Sequence, residues 1–403
     1  MQYDLIVIGG GAAGFFGAIN AKINNPNLKV LVLEKSNKFL AKVKISGGGR
    51  CNVTHACFEP KELVKNYPRG AKELIGPFTK FQPGDIFDWF EKRGVPLKIE
   101  EDNRVFPEKN TSQAIIDCFF EECNKLNVVL KLQTGVRKIE QIKDGFSLIG
   151  DNETWQTKKV LLATGSSPQI WNMLKGMGVP MIKPVPSLFT FNIVNQIYKP
   201  LPGVSVPNAI VKVPKLKLKS SGPLLITHWG LSGPAILKMS AWGAIALADA
   251  NYKFDATVNW CPAYDKEELI EAFKELRETS KKQVKNTVLF DLPSRLWEQL
   301  VLNVLGDVQR SWAEMGNKQM EQLATLIYQQ PITVNGKSTF KDEFVTAGGI
   351  DLKAVDFKTM QLREIPNFYV AGEVLNIDAI TGGFNFQAAW TTSWIAAGDI
   401  AKD

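Results

Sequence analysis

The sequence predicts an α/β fold: one domain built on a parallel sheet, interrupted by a β-barrel-like subdomain and a helical subdomain. Three observations predict it. The chain opens with a strand, a glycine turn, a helix, a second strand and an acid. Buried apolar strands that end in small-residue turns return near 160 and again near 370. Between those two returns, from about Phe189, the texture changes to short Val/Ile/Leu/Lys strands punctuated by Pro and Gly.

The opening unit is the most specific. Tyr3 to Ile8 is an apolar, β-branched run that stops at Gly9-Gly10-Gly11-Ala12-Ala13-Gly14, after which Phe15 to Asn24 reads as a helix. Leu28 to Leu33 is a second apolar run, and Glu34 ends it. Gly9, Gly11 and Gly14 occupy the GxGxxG positions of a Rossmann-like unit: one for the tight turn, one for approach of backbone to a pyrophosphate, one for close helix–strand packing. The N–H groups of Ala12, Ala13 and Gly14 and the positive end of the helix dipole would face phosphates. Glu34 stands where a carboxylate accepts from an adenosine ribose hydroxyl, with Lys35 beside it. A dinucleotide cofactor follows.

Composition excludes several classes. At 403 residues, two or three domains are expected. Hydrophobic content of 45% and charged content of 22% are ordinary for a globular chain. The N-terminal apolar run reads as a buried strand rather than a signal segment. No apolar stretch reaches about 18 residues, so no membrane-spanning helix is expected. Five cysteines at irregular spacing fit reduced thiols in a cytoplasmic protein. The net charge is +7, and Lys212, Lys215, Lys217 and Lys219 alternate with apolar residues. That alternation reads as an edge strand with a solvated lysine face; an anionic partner such as RNA is the alternative, which an anionic cofactor makes unnecessary.

Farther along, Lys42 to Asn52 contains Ser46-Gly47-Gly48-Gly49-Arg50-Cys51-Asn52. Three successive glycines are too costly in entropy for a helix or strand interior, so this polar stretch reads as a loop approaching a ligand. Residues 59 to 94 are mostly helical, with an aromatic core face at Asp85 to Phe90. Val95 to Phe106 reads as two short strands and Gln113 to Lys125 as an amphipathic helix. Val128 to Leu132, Val136 to Ile142 and Phe146 to Leu148 form a short meander in which Val136 is placed to meet an adenine. Lys158 to Leu162 is a buried strand ending in Ala163-Thr164-Gly165, and Ser167-Pro168 opens a helix.

Domain limits follow: 1–188 with 341–403 for the cofactor domain, 189–260 with 330–340 for the barrel-like insert, and 261–329 for the helical insert. Glu343 to Ala347 should be a strand and Gly348-Gly349 a turn. Phe368 to Glu373 is a further buried strand, running into Gly372 and the acid Glu373. Thr381-Gly382-Gly383-Phe384-Asn385-Phe386-Gln387 opens a helix running to about Lys402.

Several motifs in order carry a resemblance. Ser46–Asn52 (SGGGRCN), Thr227–Pro234, Val345–Ile350 (VTAGGI), Thr359-Met360 and Ala371–Trp390 (AGEVL…TGGFNFQAAW) make the chain similar to the YhiN/HI0933-like bacterial flavoproteins. These are NAD(P)/FAD-dependent oxidoreductases, some labelled aminoacetone oxidases or 3-dehydro-bile acid reductases. The resemblance covers essentially the full chain. It implies a Rossmann-like FAD-binding domain and FAD contacts at Gly9, Gly11, Gly14, Glu34, Ser46, Arg50, Asn52, Val136, Thr164, Gly165, Gly372, Glu373 and the Gly382–Gln387 turn. This chain carries Ser166 where relatives usually have a second glycine, and Asn376, Ala379, Phe384 and Phe386 within the usual GEVLDVDGxTGGYNLQ.

The expected activity is hydride transfer between NAD(P)H, flavin and a small organic substrate, the flavin supplying the redox chemistry. The chain has a single GxGxxG, so NADH or NADPH would visit transiently. The alternatives are an oxidase using oxygen, a flavoenzyme acting on RNA, and a non-catalytic flavin-bound sensor. Catalytic candidates are His228, Ser232 and Cys51. His228 either donates a proton near neutral pH or braces its turn. Cys51 and Cys57 lack the spacing of a redox pair, His55 reads as a surface or loop residue, and no cluster has metal-ligand spacing.

Overall fold

The computed structural model describes residues 2–194, 196–338 and 345–402. Contacts divide the chain into two compact units, one of residues 1–185 with 341–403 and one of 186–340.

In the first unit the parallel strands are level at one end, and that register builds the site. Gln2–Ile8 lies between Val30–Leu33 and Thr154–Leu162, with Ile8 opposite Leu33 on one side and Leu162 on the other. Phe368–Val370 extends the sheet so that Val370 faces Leu162, and Val129–Lys131 extends it the other way so that Lys131 faces Leu33. Five strand ends therefore release their turns along a single edge: Gly9 to Gly14, Glu34, Leu132 to Gly135, Ala163 to Gly165, and Ala371 to Glu373. Ligands of open parallel sheets bind at that carboxyl edge. Gln2–Ile8, Val30–Leu33 and Phe368–Val370 are mostly buried on both faces, which is why they read as apolar runs.

Several expectations change here. Val129–Lys131 is a parallel strand of this sheet rather than part of a meander; the meander is Val136–Ile142, Gly145–Gly150 and Thr154–Leu162. Its short run carried no sign of which partner it would find. Gly348 and Gly349 lie inside the strand Val345–Ile350, at φ +102° and +126°, instead of forming a turn. A Cβ at Gly349 would stand 2.5 Å from the Val374 carbonyl oxygen, so close backbone approach requires that glycine. Glu343, given to the same strand, lies outside the described residues. The helix Gln113–Lys125 forms where its periodicity places it, and Phe384–Ile400 where the Gly382-Gly383 turn opens it.

The second unit is a closed antiparallel barrel in the order Thr190–Ile193, Gly230–Ser232, Leu218–Ile226, Ser205–Val213, Lys253–Asn259 and Gln330–Ser338. Helices Lys266–Thr279, Ser294–Leu305 and Asn317–Gln329 share one hydrophobic core with those strands, Trp297, Trp312 and Phe273 included. The lysine stretch is no edge strand. Ser205–Val213 pairs with Leu218–Ile226 and with Lys253–Asn259, so closure leaves it no free edge, and the lysines sit on the outside of a hairpin.

Among the described residues, no helix is long and apolar enough to cross a membrane.

Candidate functional site

The glycine turn is shaped by backbone contacts that no side chain would tolerate. A Cβ on Gly14 would stand 1.9 Å from the Gly9 carbonyl oxygen, and one on Gly9 2.4 Å from that of Ala163. Gly11, by contrast, has open space where its Cβ would be. The helix Ala12–Asn24 begins there with no side-chain cap and no acid in its first turn, so its leading N–H groups and dipole are left for an anion. Glu34 has a second duty: its carboxylate accepts from the N–H of Gly10 and of Ser36, each at 2.8 Å, which ties the acid to the glycine turn.

A cleft opens along this edge, lined by Gly9, Glu34, Lys35, Val136, Thr164 and Ser167 among others. The structure thus brings together positions spread over more than a third of the chain. The hydroxyl of Thr164 is buried and has no hydrogen-bond partner among the described residues. An orphaned buried hydroxyl in such a cleft calls for a ligand atom. Thr134, Ser167 and Gln169 also line the cleft; Ser167 and Gln169 stand at the start of the helix Pro168–Gly176, where Ser167 read only as a helix cap.

The Ser46–Asn52 segment is partly helical. Ala41–Gly49 starts as a helix and breaks at Ser46, after which Gly47, Gly48 and Gly49 all have positive φ. Most of its polar side chains are committed within the protein. Ser46 donates to the Val43 carbonyl at 2.8 Å. Arg50 donates to Glu100 at 2.6 Å and lies 3.9 Å over the Phe106 ring. The Asn52 amide, oriented to satisfy both ends, donates to the carbonyls of Thr54 and Val105 and accepts from Gly383 N–H at 3.0 Å. What this loop leaves open is glycine backbone: a Cβ at Gly48 would meet nothing within 4 Å. Cys51 is wholly buried, and burial pushes its thiol up to about 12. It stays protonated at neutral pH, the environment of a packed thiol rather than a nucleophile.

The C-terminal turns close onto the same region. Gly372, at φ +74°, fits against Ala13, where a Cβ would be 3.0 Å from that of Ala13. Glu373 accepts from Lys42 at 2.6 Å and from the Thr346 N–H at 3.1 Å. Gly383 is required because a Cβ would meet the Thr54 carbonyl at 2.4 Å. Phe384 is buried and stacks on His55 with ring centroids 4.5 Å apart; Phe386 stacks on Trp390. Asn385 accepts from the N–H and donates to the carbonyl of Ala379, and Asn376 accepts from Gly348 N–H at 3.0 Å. The two departures at 376 and 379 are therefore built into the turn. Asp378 is fully buried and paired with Arg69. His55 is corrected: it lies in the short strand Thr54–His55, half-buried, with Nδ1 buried and without a partner among the described residues, and burial lowers its pKa despite the opposing charge of Asp102.

His228 and Ser232 belong to the other unit. Thr227 caps a tight turn by accepting from the N–H of Trp229 and Gly230, which leaves His228 exposed at the tip. The Ser232 hydroxyl accepts from Thr190 at 3.1 Å, and no hydrogen bond between Ser232 and His228 is found among the described residues. No group of described His, Cys, Asp and Glu residues is placed to hold a metal.

A level edge of parallel strands, an uncapped helix start behind a glycine turn and an orphaned threonine hydroxyl define a dinucleotide-binding protein, and FAD fits that cradle. The chain belongs to the HI0933-like family, whose Rossmann domain matches residues 3–399, and with it to the FAD-dependent oxidoreductases. It is 29% identical over 412 residues to the ribosomal RNA dihydrouridine synthase of Escherichia coli (strain K12), covering 99% of this chain and 98% of that one. The 3-dehydro-bile acid delta(4,6)-reductase of Clostridium scindens is 24% identical over 98% of both chains. In fold, the chain is similar to the 3-ketosteroid-delta4-(5alpha)-dehydrogenase from Rhodococcus jostii RHA1, with a TM-score of 0.53 at 12% identity, covering 100% of this chain and 97% of that one.

Proposed function

We propose that this flavoprotein saturates a carbon–carbon double bond conjugated to a carbonyl, with a uracil base of ribosomal RNA as substrate. The observation that carries this reading is the full-length likeness to a ribosomal RNA dihydrouridine synthase. Conversion of uridine to dihydrouridine adds a hydride and a proton across the ring double bond, whose far carbon the neighbouring carbonyl makes electrophilic. The name of the bile acid relative describes a bond of the same kind, a double bond in conjugation with a 3-keto group. One chemistry covers both names. In this reading RNA, the alternative raised by the lysine-rich stretch, takes the place of a small organic substrate.

Bound FAD supplies the hydride. The residues of the chain hold and orient it in this reading. Gly9, Gly11, Ala12, Ala13 and Gly14 take the pyrophosphate at the helix start. Glu34, Lys35 and Val136 take the adenosine, and Ala163, Thr164 and Gly165 lie against it. Ser46, Gly47, Gly48, Arg50, Cys51 and Asn52, with Gly372, Glu373, Gly382, Gly383, Phe384, Asn385 and Phe386, form the remaining walls. NADH or NADPH is the electron source, visiting transiently. His228, exposed on its turn, and Ser232 are proposed to act on the substrate, and Cys51, wholly buried, is kept as a packed thiol.

The test is anaerobic. The flavin is bleached with NADH or NADPH, and unmodified ribosomal RNA or a 3-keto-4-ene steroid is added. Return of the flavin colour with RNA, and a mass gain of two hydrogens on one uridine, is the expected result. Reoxidation by the steroid alone would sink the RNA reading and favour a small-molecule reductase, the reading that the bile acid relative supports. Reoxidation only by oxygen would leave an oxidase.

A further inference from the structure

The outside of the barrel carries a charged hairpin that the cofactor site does not use. Lys212 and Lys219 stand directly opposite each other across the strand pair Ser205–Val213 and Leu218–Ile226. Like charges so placed destabilise a sheet. Lys215 and Lys217 occupy the connecting turn, Lys217 at φ +53°, where a lysine is an unusual choice. All four are exposed. The one ion pair found for this hairpin among the described residues, Lys215 with Asp255, is 3.9 Å long between side chains 83% and 68% exposed. A pair of that kind neutralises little.

Beside the hairpin lies a shallow cleft of about 580 Å³ whose lining includes Lys215, Leu216, Lys253, Phe254, Asp255 and Asn335. The Phe254 ring is held edge-on against Phe191, 5.2 Å between centroids. Lysines, a fixed aromatic ring and a side-chain amide lining one cleft make a combination suited to a polyanion that also carries flat rings. Phosphates meet the lysines, a base covers the phenylalanine, and Asn335 offers both donor and acceptor to a base edge.

We propose that this hairpin and cleft bind an unpaired stretch of RNA. The inference rests on the RNA reading of the function and names the surface that would hold the substrate's backbone.

The experiment uses the FAD-loaded full chain and a fluorescein-labelled oligouridylate of about twelve nucleotides, read by anisotropy across a salt series. A variant with Lys212→Gln, Lys215→Gln, Lys217→Gln and Lys219→Gln is compared with one carrying Arg at the same four positions. Each lost phosphate contact to a single strand flattens the slope of log affinity against log salt by roughly 0.7, so the Gln variant is expected to lose up to about three from the slope. Affinity at low salt falls at least about tenfold, the Arg variant binds like the parent, and flavin bleaching by the nicotinamide is unchanged. Parent-like affinity and slope in the Gln variant would overturn this surface while leaving the RNA reading standing. A parent that neither binds the oligomer nor modifies ribosomal RNA would fail the RNA reading itself. Lysine-dependent binding to anionic vesicles without RNA binding would also overturn the proposal.

Discussion

Polar side chains serve opposite ends in the two units. In the cofactor unit they are tied across great sequence distances, Lys42 to Glu373 at the surface and Thr54 to Gln387 and Arg69 to Asp378 below it, pairs 331, 333 and 309 positions apart. On the barrel hairpin four lysines stand outside with almost no carboxylate to meet them. The first pattern leaves a ligand mainly backbone N–H groups, one orphaned hydroxyl and a shaped void. The second leaves it charge. A small anionic cofactor needs geometry, whereas a long polyanion needs a field.

Four substitutions or conditions probe that contrast, the largest effect first. Gly14→Ala puts a Cβ 1.9 Å from a backbone oxygen that cannot move without opening the turn. The purified variant should carry no flavin absorbance while its barrel still forms, as judged by limited proteolysis. Normal flavin content would show that backbone approach does not build the cradle.

Arg69→Leu strands the buried Asp378 carboxylate without its cation, and removing one partner of a buried pair costs about 3–5 kcal/mol. Urea unfolding should register that loss; a change under about 1 kcal/mol would mean the tie is replaceable. Glu34→Gln replaces one acceptor oxygen by an amide that opposes a backbone N–H. Hydrogen bonds to charged groups contribute about 1.5–3 kcal/mol, so FAD should bind roughly 10- to 100-fold more weakly. Titration of the apoprotein with FAD measures it, and unaltered affinity would remove Glu34 from both of its duties.

The smallest effect is alkaline. Burial pushes the thiols of Cys51, Cys118 and Cys123 up to about 12 and that of Cys261 up to about 11, from 9.0 for a free thiol. The folded state keeps these protons longer than the unfolded chain does. Stability is therefore untouched below pH 9 and falls as the pH rises through the folded values. Three of the four groups lie in the cofactor unit, so its hydrogen-exchange protection should drop first above pH 9. Equal loss in both units would break the contrast.

Much of the architecture was legible. The opening unit, the helices Gln113–Lys125 and Phe384–Ile400 and the barrel strands follow from periodicity and punctuation over short windows. The site was legible as a set of turns, and its family resemblance is borne out by the match over residues 3–399. Roles within those turns were not. His55 looked like a loop residue because its stacking partner, Phe384, comes from the far end of the chain. The commitment of the Arg50 side chain was hidden, because Glu100 and Phe106 cannot be seen from the SGGGRCN motif. Asp378 did carry a signal: it is the acid this chain keeps where the family motif has two.

By itself, then, the sequence determined where glycine turns follow strands, and so that a dinucleotide would be held; those features depend on backbone freedom and apolar runs a few residues long. Only the tertiary structure decided which polar groups remain for a ligand. A buried donor or acceptor is satisfied by whatever the fold brings beside it. Here, for Thr54 and Asp378, that neighbour is more than 300 residues away.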